Sequence, residues 1–183
     1  MSLLIVLGVV VLGVIYAISI YNNLVSKRTM AEEGFSGIDV QLKRRADLIP
    51  NLVETVKGYT KHESGVLEKI TEWRARAQGA TNNEERFKAE AGVSQALANV
   101  FAVSENYPDL KANTNFIDLQ NKLSEIEDQL QLARRYYNGT VRDLNMMIDQ
   151  FPSNIIANHY RFEKKVFFEI DNEADRQVQK VSF

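Results

Sequence analysis

His62-Glu63 opens like the HExxH helix of zinc hydrolases, in which two imidazoles one turn apart share a metal. The second imidazole would stand at position 66, which is Val66. The other histidine of the chain, His159, is far off in sequence, and with no cysteine any further ligand must be a carboxylate. The same lack of cysteine excludes disulfides and thiol catalysis. No GxxxxGKS loop or GxGxxG fingerprint occurs to cradle a phosphate, and the Glu-x-x-His pairs of carboxylate-bridged di-iron bundles are absent. The carboxylates fall instead beside Lys and Arg at the polar positions of helical repeats, as on a solvated face. Asn138-Gly139-Thr140 matches a glycosylation acceptor, but it lies in a helix expected on the cytoplasmic side. The residues thus predict no catalytic site, no metal and no cofactor.

The other cluster that could do chemistry is Lys43-Arg44-Arg45, followed five residues later by Pro50. Anionic lipid is one ligand for such a cluster, but distance argues against it. Lys43 stands 23 residues past Ile20, ~35 Å along a straight helix and several times the ~8 Å screening length. Two readings stay open. Either two of the three side chains snorkel into solvent while Arg45 pairs with an acidic residue on a facing helix, or the cluster docks a partner protein. Pro50 removes one helical hydrogen bond and crowds the carbonyl of Ala46, which predicts a kink near Asp47–Pro50.

These residues hang on an anchor. Leu3 to Ile20 (LLIVLGVVVLGVIYAISI) carries no charge over 18 residues. That length spans ~27 Å as a helix, close to the ~30 Å core of a bilayer. No basic residue precedes the run and Tyr21-Asn22-Asn23 follows it with interfacial composition, which favours a transmembrane anchor, with a cleaved signal as the alternative. Lys27 and Arg28 come just after, ~10–12 Å along the helix, and form the lipid-facing pair. With only Met1-Ser2 on the other flank, they predict an N-terminus outside and the bulk of the chain in the cytoplasm. Gly13 and Ala17 form a small-xxx-small pair, a spacing that lets membrane helices pack and also arises simply because small residues are common there.

Beyond the anchor a seam repeats at steps of three and four through Tyr21, Leu24, Arg28, Ala31, Phe35, Ile38, Leu42, Arg45, Ile49, Leu52, Val56, Tyr59 and Glu63. It continues in phase through Val66, Ile70, Trp73 and Ala77, so one long helix is expected from the membrane to Gln78. Thr81 with Glu84 suggests a capped restart, giving a second helix from about Asn82 to Asn106 that buries Phe87, Ala91, Ser94, Leu97, Ala98 and Phe101. Tyr107-Pro108 ends it. A third helix from about Asn113 carries Phe116, Leu119, Leu123, Ile126, Leu130, Ala133 and Tyr137, then drifts through Val141, Leu144 and Ile148 to Phe151 before Pro152. A short C-terminal helix is expected in the irregular remainder, where Val166, Phe168 and Ile170 could also alternate as a strand. Tyr160, Phe162, Phe167 and Phe168 either cap the bundle or form a docking surface.

Stripes of this kind cannot be buried singly and must pack together. The fold class expected is all-α, a transmembrane helix continuing into an elongated antiparallel bundle of the four-helix type. The segments are 1–22 as anchor, 23–170 as cytoplasmic bundle and 171–183 as polar tail. A net charge of -2 and no basic excess give no reason to expect a nucleic-acid partner. The bilayer, and a second copy of the chain, are the partners expected.

The stretch YNNLVSKRTMAEEGFSGIDVQLKRRADLIPNLVETVKGYTKHE resembles the signature region of the LemA family, and YPDLKANTNFIDLQNKLSEIE, ARRYYNGTVRDLNMMIDQFPSNIIA and FEKKVFFE resemble its later blocks. The likeness covers essentially everything after the anchor. It implies a bacterial inner-membrane protein with one N-terminal span and a domain of long antiparallel helices that is not established as an enzyme. It also implies an association with HtpX-like membrane metalloproteases, or a role in membrane formation like that of magnetosome relatives. The matching positions Asp39, Gln41, Lys43, Arg44, Arg45, Asp47, Pro50, Asn51 and Glu54 carry no catalytic role in it.

Overall fold

A computed structural model describes residues 2–60 and 63–168. The described residues form six helices: α1 (Ser2–Lys57), α2 (Ser64–Gly79), α3 (Asn83–Ser104), α4 (Pro108–Lys111), α5 (Thr114–Asp149) and α6 (Ser153–His159). The described residues contain no strand, and the fold is all-α. The apolar run and the basic cluster lie on one helix, α1, with Pro50 inside it.

Of the expected seam, Leu24, Ala31, Ile38, Leu42, Arg45, Ile49, Leu52 and Val56 are buried in α1, whereas Tyr21, Arg28 and, past the helix end, Tyr59 are exposed and Phe35 is half-buried. Its continuation differs from the expectation. The helix ends at Lys57 and α2 starts afresh at Ser64. Amides of Tyr59 and Thr60 both turn back to the Val56 carbonyl (3.0 and 3.1 Å), closing the last turn beside Gly58. The seam stays in phase across this break because α1 and α2 bury their stripes in the same core, so periodicity alone does not reveal it.

Asn82, rather than Thr81, caps α3. Its Oδ1 accepts the Glu85 amide at 2.9 Å, and the Thr81 hydroxyl donates to Glu85 Oε2 at 3.1 Å. The buried stripe of α3 also differs from that expected. It runs through Phe87, Ala89, Glu90, Val93, Ala96, Leu97, Val100 and Ser104, while Ala98 is exposed. An apolar template passes over Glu90, which is buried because it has an ionic partner. Pro108 starts the short α4, and Asn113 caps α5 by accepting the Phe116 amide at 3.0 Å.

The chain divides into two compact units. One comprises residues 1–40 and 130–167; the other comprises 41–129 and continues from 168. In the first, the pairs Lys27–Asp143 and Phe35–Tyr137 show α1 and α5 running antiparallel. Gly34 permits their close approach, since a Cβ there would stand 3.2 Å from the Tyr137 backbone and the Tyr136 ring. In the second unit, Ile49, Leu52 and Val56 of α1, Leu67 and Ile70 of α2, Val93, Leu97 and Val100 of α3, and Phe116 and Leu123 of α5 share one core. Phe168 is buried there against Phe87, ring centroids 4.0 Å apart.

The buried seam of α5 stops at Ile148; Phe151, expected to extend it, is 80% exposed. After α6, Arg161 adopts φ 56°, the left-handed conformation usual for glycine at this position. The amide of Phe162 reaches the Ala157 carbonyl at 2.9 Å and that of Arg161 the Asn158 carbonyl at 3.3 Å, a Schellman closure. The chain then returns as a strap, residues 162–167, without helix or strand. Asn145 holds it with a reciprocal pair: its Nδ2 donates to the Lys165 carbonyl (2.9 Å) and its Oδ1 accepts the Lys165 amide (3.0 Å). The Tyr137 hydroxyl adds a bond to the Val166 carbonyl at 2.9 Å. Residues 171–183, expected as a polar tail, and Ile170 lie outside the described residues.

Candidate functional site

Arg45 is the largest side chain wholly inside the second unit, 1% exposed. A guanidinium cannot lose its charge, so burial demands a full set of acceptors. Two helices, α3 and α5, supply them. Nη2 pairs with the Glu90 carboxylate and donates to the Glu90 carbonyl at 3.1 Å. Nη1 pairs with the Glu127 carboxylate and donates to Ser94 Oγ at 2.7 Å. The Ser94 hydroxyl in turn donates to Glu127 Oε2 at 3.1 Å. One planar fork therefore ties α1 to α3 and α5, geometry an ammonium could not reproduce.

Chemically the cluster has a hydroxyl beside a carboxylate, the parts of a nucleophile and base. The guanidinium, however, occupies the space a reacting group would need, and the adjoining cavity is about 10 Å³, room for about one water. This is a clamp. Its neighbours Lys43 and Arg44 are exposed, Arg44 donating to Gln41 Oε1 at 3.3 Å on its own helix. The three cations of the motif thus divide: Arg45 is taken up inside, and two face solvent.

Pro50 continues the theme. Having no amide, it leaves the Ala46 carbonyl without its helical donor. Arg74 of α2 supplies one, Nε to oxygen at 2.8 Å.

In the first unit the residues at the end of the apolar run form a second group. Tyr21 packs at a tilt against Tyr160 (4.7 Å) and edge-on to Phe162 (5.9 Å), while the Arg28 guanidinium lies 5.3 Å from the Phe162 ring centre. Lys27 is bound to Asp143 at 3.0 Å. That hydrogen bond holds the Asp143 carboxyl below the usual carboxylate range, with partial desolvation opposing it and Arg142 assisting. Burial raises the Tyr137 phenol above its usual range, which keeps its proton available to Val166.

An open groove of about 530 Å³ runs along α1 and α2, lined by Val53, Lys57, Leu67, Glu68 and Thr71 among others. Glu68 and Glu72 sit there one turn apart, without a histidine among the described residues of the lining. His62 lies outside the described residues. Among the described residues no three His, Cys, Asp or Glu side chains converge as a metal cluster would.

Glu90, Ser94, Glu127, Arg74 and Asn145 were not singled out by sequence as site residues. An arginine on an apolar seam signals that a carboxylate must meet it, yet only tertiary pairing says which.

The arrangement defines a class: an all-α protein with one described helix long and apolar enough to cross a membrane. The model of the LemA family matches residues 34–183, most of the chain, and the chain belongs to that family. It is 23% identical to Protein LemA of Metamycoplasma hominis, with 81% of this chain and 69% of that protein aligned. It is 22% identical to Magnetosome protein MamQ 2 of Paramagnetospirillum magneticum, over 86% of this chain and 68% of the relative. The corresponding MamQ of Magnetospirillum gryphiswaldense is 21% identical over 81% and 64%.

Proposed function

We propose that this protein is a non-enzymatic, membrane-anchored scaffold that self-associates and docks a membrane partner. The observation that carries this reading is α1 itself. An uncharged span continues, as one helix from Ser2 to Lys57, into the domain's own core, so anchor and domain share a structural element rather than a linker. The buried charges serve helix-to-helix clamping, which is what a scaffold requires. The N-terminus lies outside and the domain in the cytoplasm of a bacterial inner membrane, following Lys27 and Arg28. The partner class suggested by the family resemblance is an HtpX-like metalloprotease, with exposed Lys43 and Arg44 as its contact. Because the chain has no native cysteine, single-cysteine variants at Gly13 or Ala17 test self-association directly. Oxidative cross-linking in native membranes is expected to yield dimers; monomer alone at native expression would refute it.

A second reading is favoured by the relatives named as magnetosome proteins: a laterally packed assembly that shapes the bilayer. Reconstitution at high surface coverage, followed by imaging of the vesicles, separates the two. Unchanged vesicles would sink the second.

A further inference from the structure

The face of α6 and its flanks presents large apolar side chains to solvent in a place where the first unit has little reason to leave them. Phe151 is 80% exposed, Ile155 58% and Tyr160 56%. On the opposite face of α6 from Ile155, Ser153 and Ala157 are buried, so the helix is amphipathic, with Phe151 and Ile155 on the outer side and Tyr160 turned toward Tyr21. Scattered apolar residues need no explanation, but three on one short segment do.

Their height along α1 identifies what covers them. Tyr160 packs against Tyr21, the residue that directly follows the apolar run. The antiparallel pairs 35–137 and 27–143 count down α1 as α5 ascends, which brings the end of α5 level with about residue 21. Leu3 through Tyr16 are all exposed, whereas Ala17 and Ile20 are partly covered. These two share a face with Leu24, so the partial cover of α1 reaches the last turn of the span, next to the level at which Tyr160 and Phe162 meet Tyr21. Around it stand the groups of a headgroup zone: aromatic Tyr21, Tyr160 and Phe162, the cation Arg28 over Phe162, and the exposed Arg161. Arg161 holds a backbone conformation that would cost a glycine less, so a side chain is kept there at the expense of local strain.

We propose that residues 151–161 form a second membrane contact, an interfacial wedge in which Phe151 and Ile155 enter the acyl boundary while Arg161 and Arg28 meet anionic headgroups. Aromatic and basic residues at this depth are the common composition of a membrane interface, and an amphipathic helix lies in that plane with its apolar face down. The wedge rests on the reading of Leu3–Ile20 as a span. It adds a second point of attachment, so that the first unit is seated on the bilayer and does not swivel about a single helix.

Nitroxide labels on single cysteines test this in the full chain, reconstituted in phosphatidylcholine–phosphatidylglycerol vesicles. Phe151→Cys and Ile155→Cys replace exposed side chains and cost no core. Val10→Cys reports the span and Lys122→Cys reports water. Labels at 151 and 155 are expected to collide more with oxygen than with a water-soluble nickel chelate, the order expected at Val10 and the reverse of Lys122. Chelate-dominated collisions at 151 and 155, with Val10 still shielded, would overturn the wedge and leave the span standing. Shielding of both labels from both reagents would also overturn it, since protein would then cover the face. A chelate-accessible Val10 would remove the span and the wedge together.

Discussion

Arg74 donates its Nε–H to the carbonyl of Ala46 at 2.8 Å, the carbonyl that Pro50 deprives of its helical amide. A proline inside a helix commonly leaves an acceptor to water; here a neighbouring helix fills the vacancy. The proline and the arginine are therefore one device distributed over α1 and α2. Arg74→Met is expected to destabilise the second unit by about 1–2 kcal/mol, the cost of an unpaired carbonyl. Pro50→Ala restores the amide, so the same arginine substitution made on that background should cost measurably less. Urea unfolding of the four variants checks this; equal costs in both backgrounds would show the two residues to be independent.

Arg45→Met leaves two carboxylates, Glu90 and Glu127, facing one another without a cation. The expected loss is about 3–5 kcal/mol, the range for breaking one side of a buried pair. Arg45→Lys should recover little, because one ammonium cannot serve both carboxylates in plane with Ser94. Adding Glu90→Gln and Glu127→Gln to Arg45→Met should return much of the loss, and denaturation midpoints for the series measure it.

Gly92 faces the indole of Trp73, and a Cβ there would fall 2.3 Å from the ring. Gly92→Ala must push the ring aside, at about 1–3 kcal/mol for overpacking. Trp73 is the sole tryptophan, so its emission reports the displacement without labelling. Gly37 and Gly139 are the contrast, since nothing lies within 4 Å of their added Cβ. Alanine at either should stabilise by about 0.5–1 kcal/mol, through helix propensity alone.

The pair of Lys27 with Asp143 sets a pH dependence in the first unit. Because the folded carboxyl is held below its ordinary value, its contribution is complete above about pH 4 and disappears as pH falls through the lowered value. The pair is partly exposed, so the contribution is less than about 1 kcal/mol. Lys27→Met should move the Asp143 titration, followed by carboxyl carbon NMR, upward toward the usual range. Arg142, 3.7 Å away, should keep part of the depression. An unmoved titration would exclude Lys27 as its cause.

What could be read from the chain was what repeats. Leu24 through Val56 and Phe116 through Ile148 announce themselves by spacing, because each element must bury one stripe. The break between Lys57 and Ser64 escaped that reading because the two helices keep the same phase, and local punctuation at Gly58 was the available sign. Phe151 lies one step of the period beyond the end of its helix, so the spacing continues to a residue that the fold leaves exposed. Glu90 and Glu127 look like any surface glutamate until Arg45 selects them. Asn145, likewise, becomes legible only when a strap twenty residues later lies across it.

The clamp at Arg45 also settles an ambiguity that the seam creates. Apolar stripes with a seven-residue repeat look alike after sliding by one repeat, leucine again meeting leucine. Slide α5 by seven in either direction and Glu127 is replaced opposite Arg45 by Gln120 or by Arg134. Slide α3 likewise and Glu90 gives way to Asn83 or Leu97. Every slipped alignment buries a guanidinium with too few anions, and one of them sets it against its own kind. A single polar position thus acts as the index mark on an otherwise self-similar ruler, allowing the helices one alignment among several that hydrophobicity would accept.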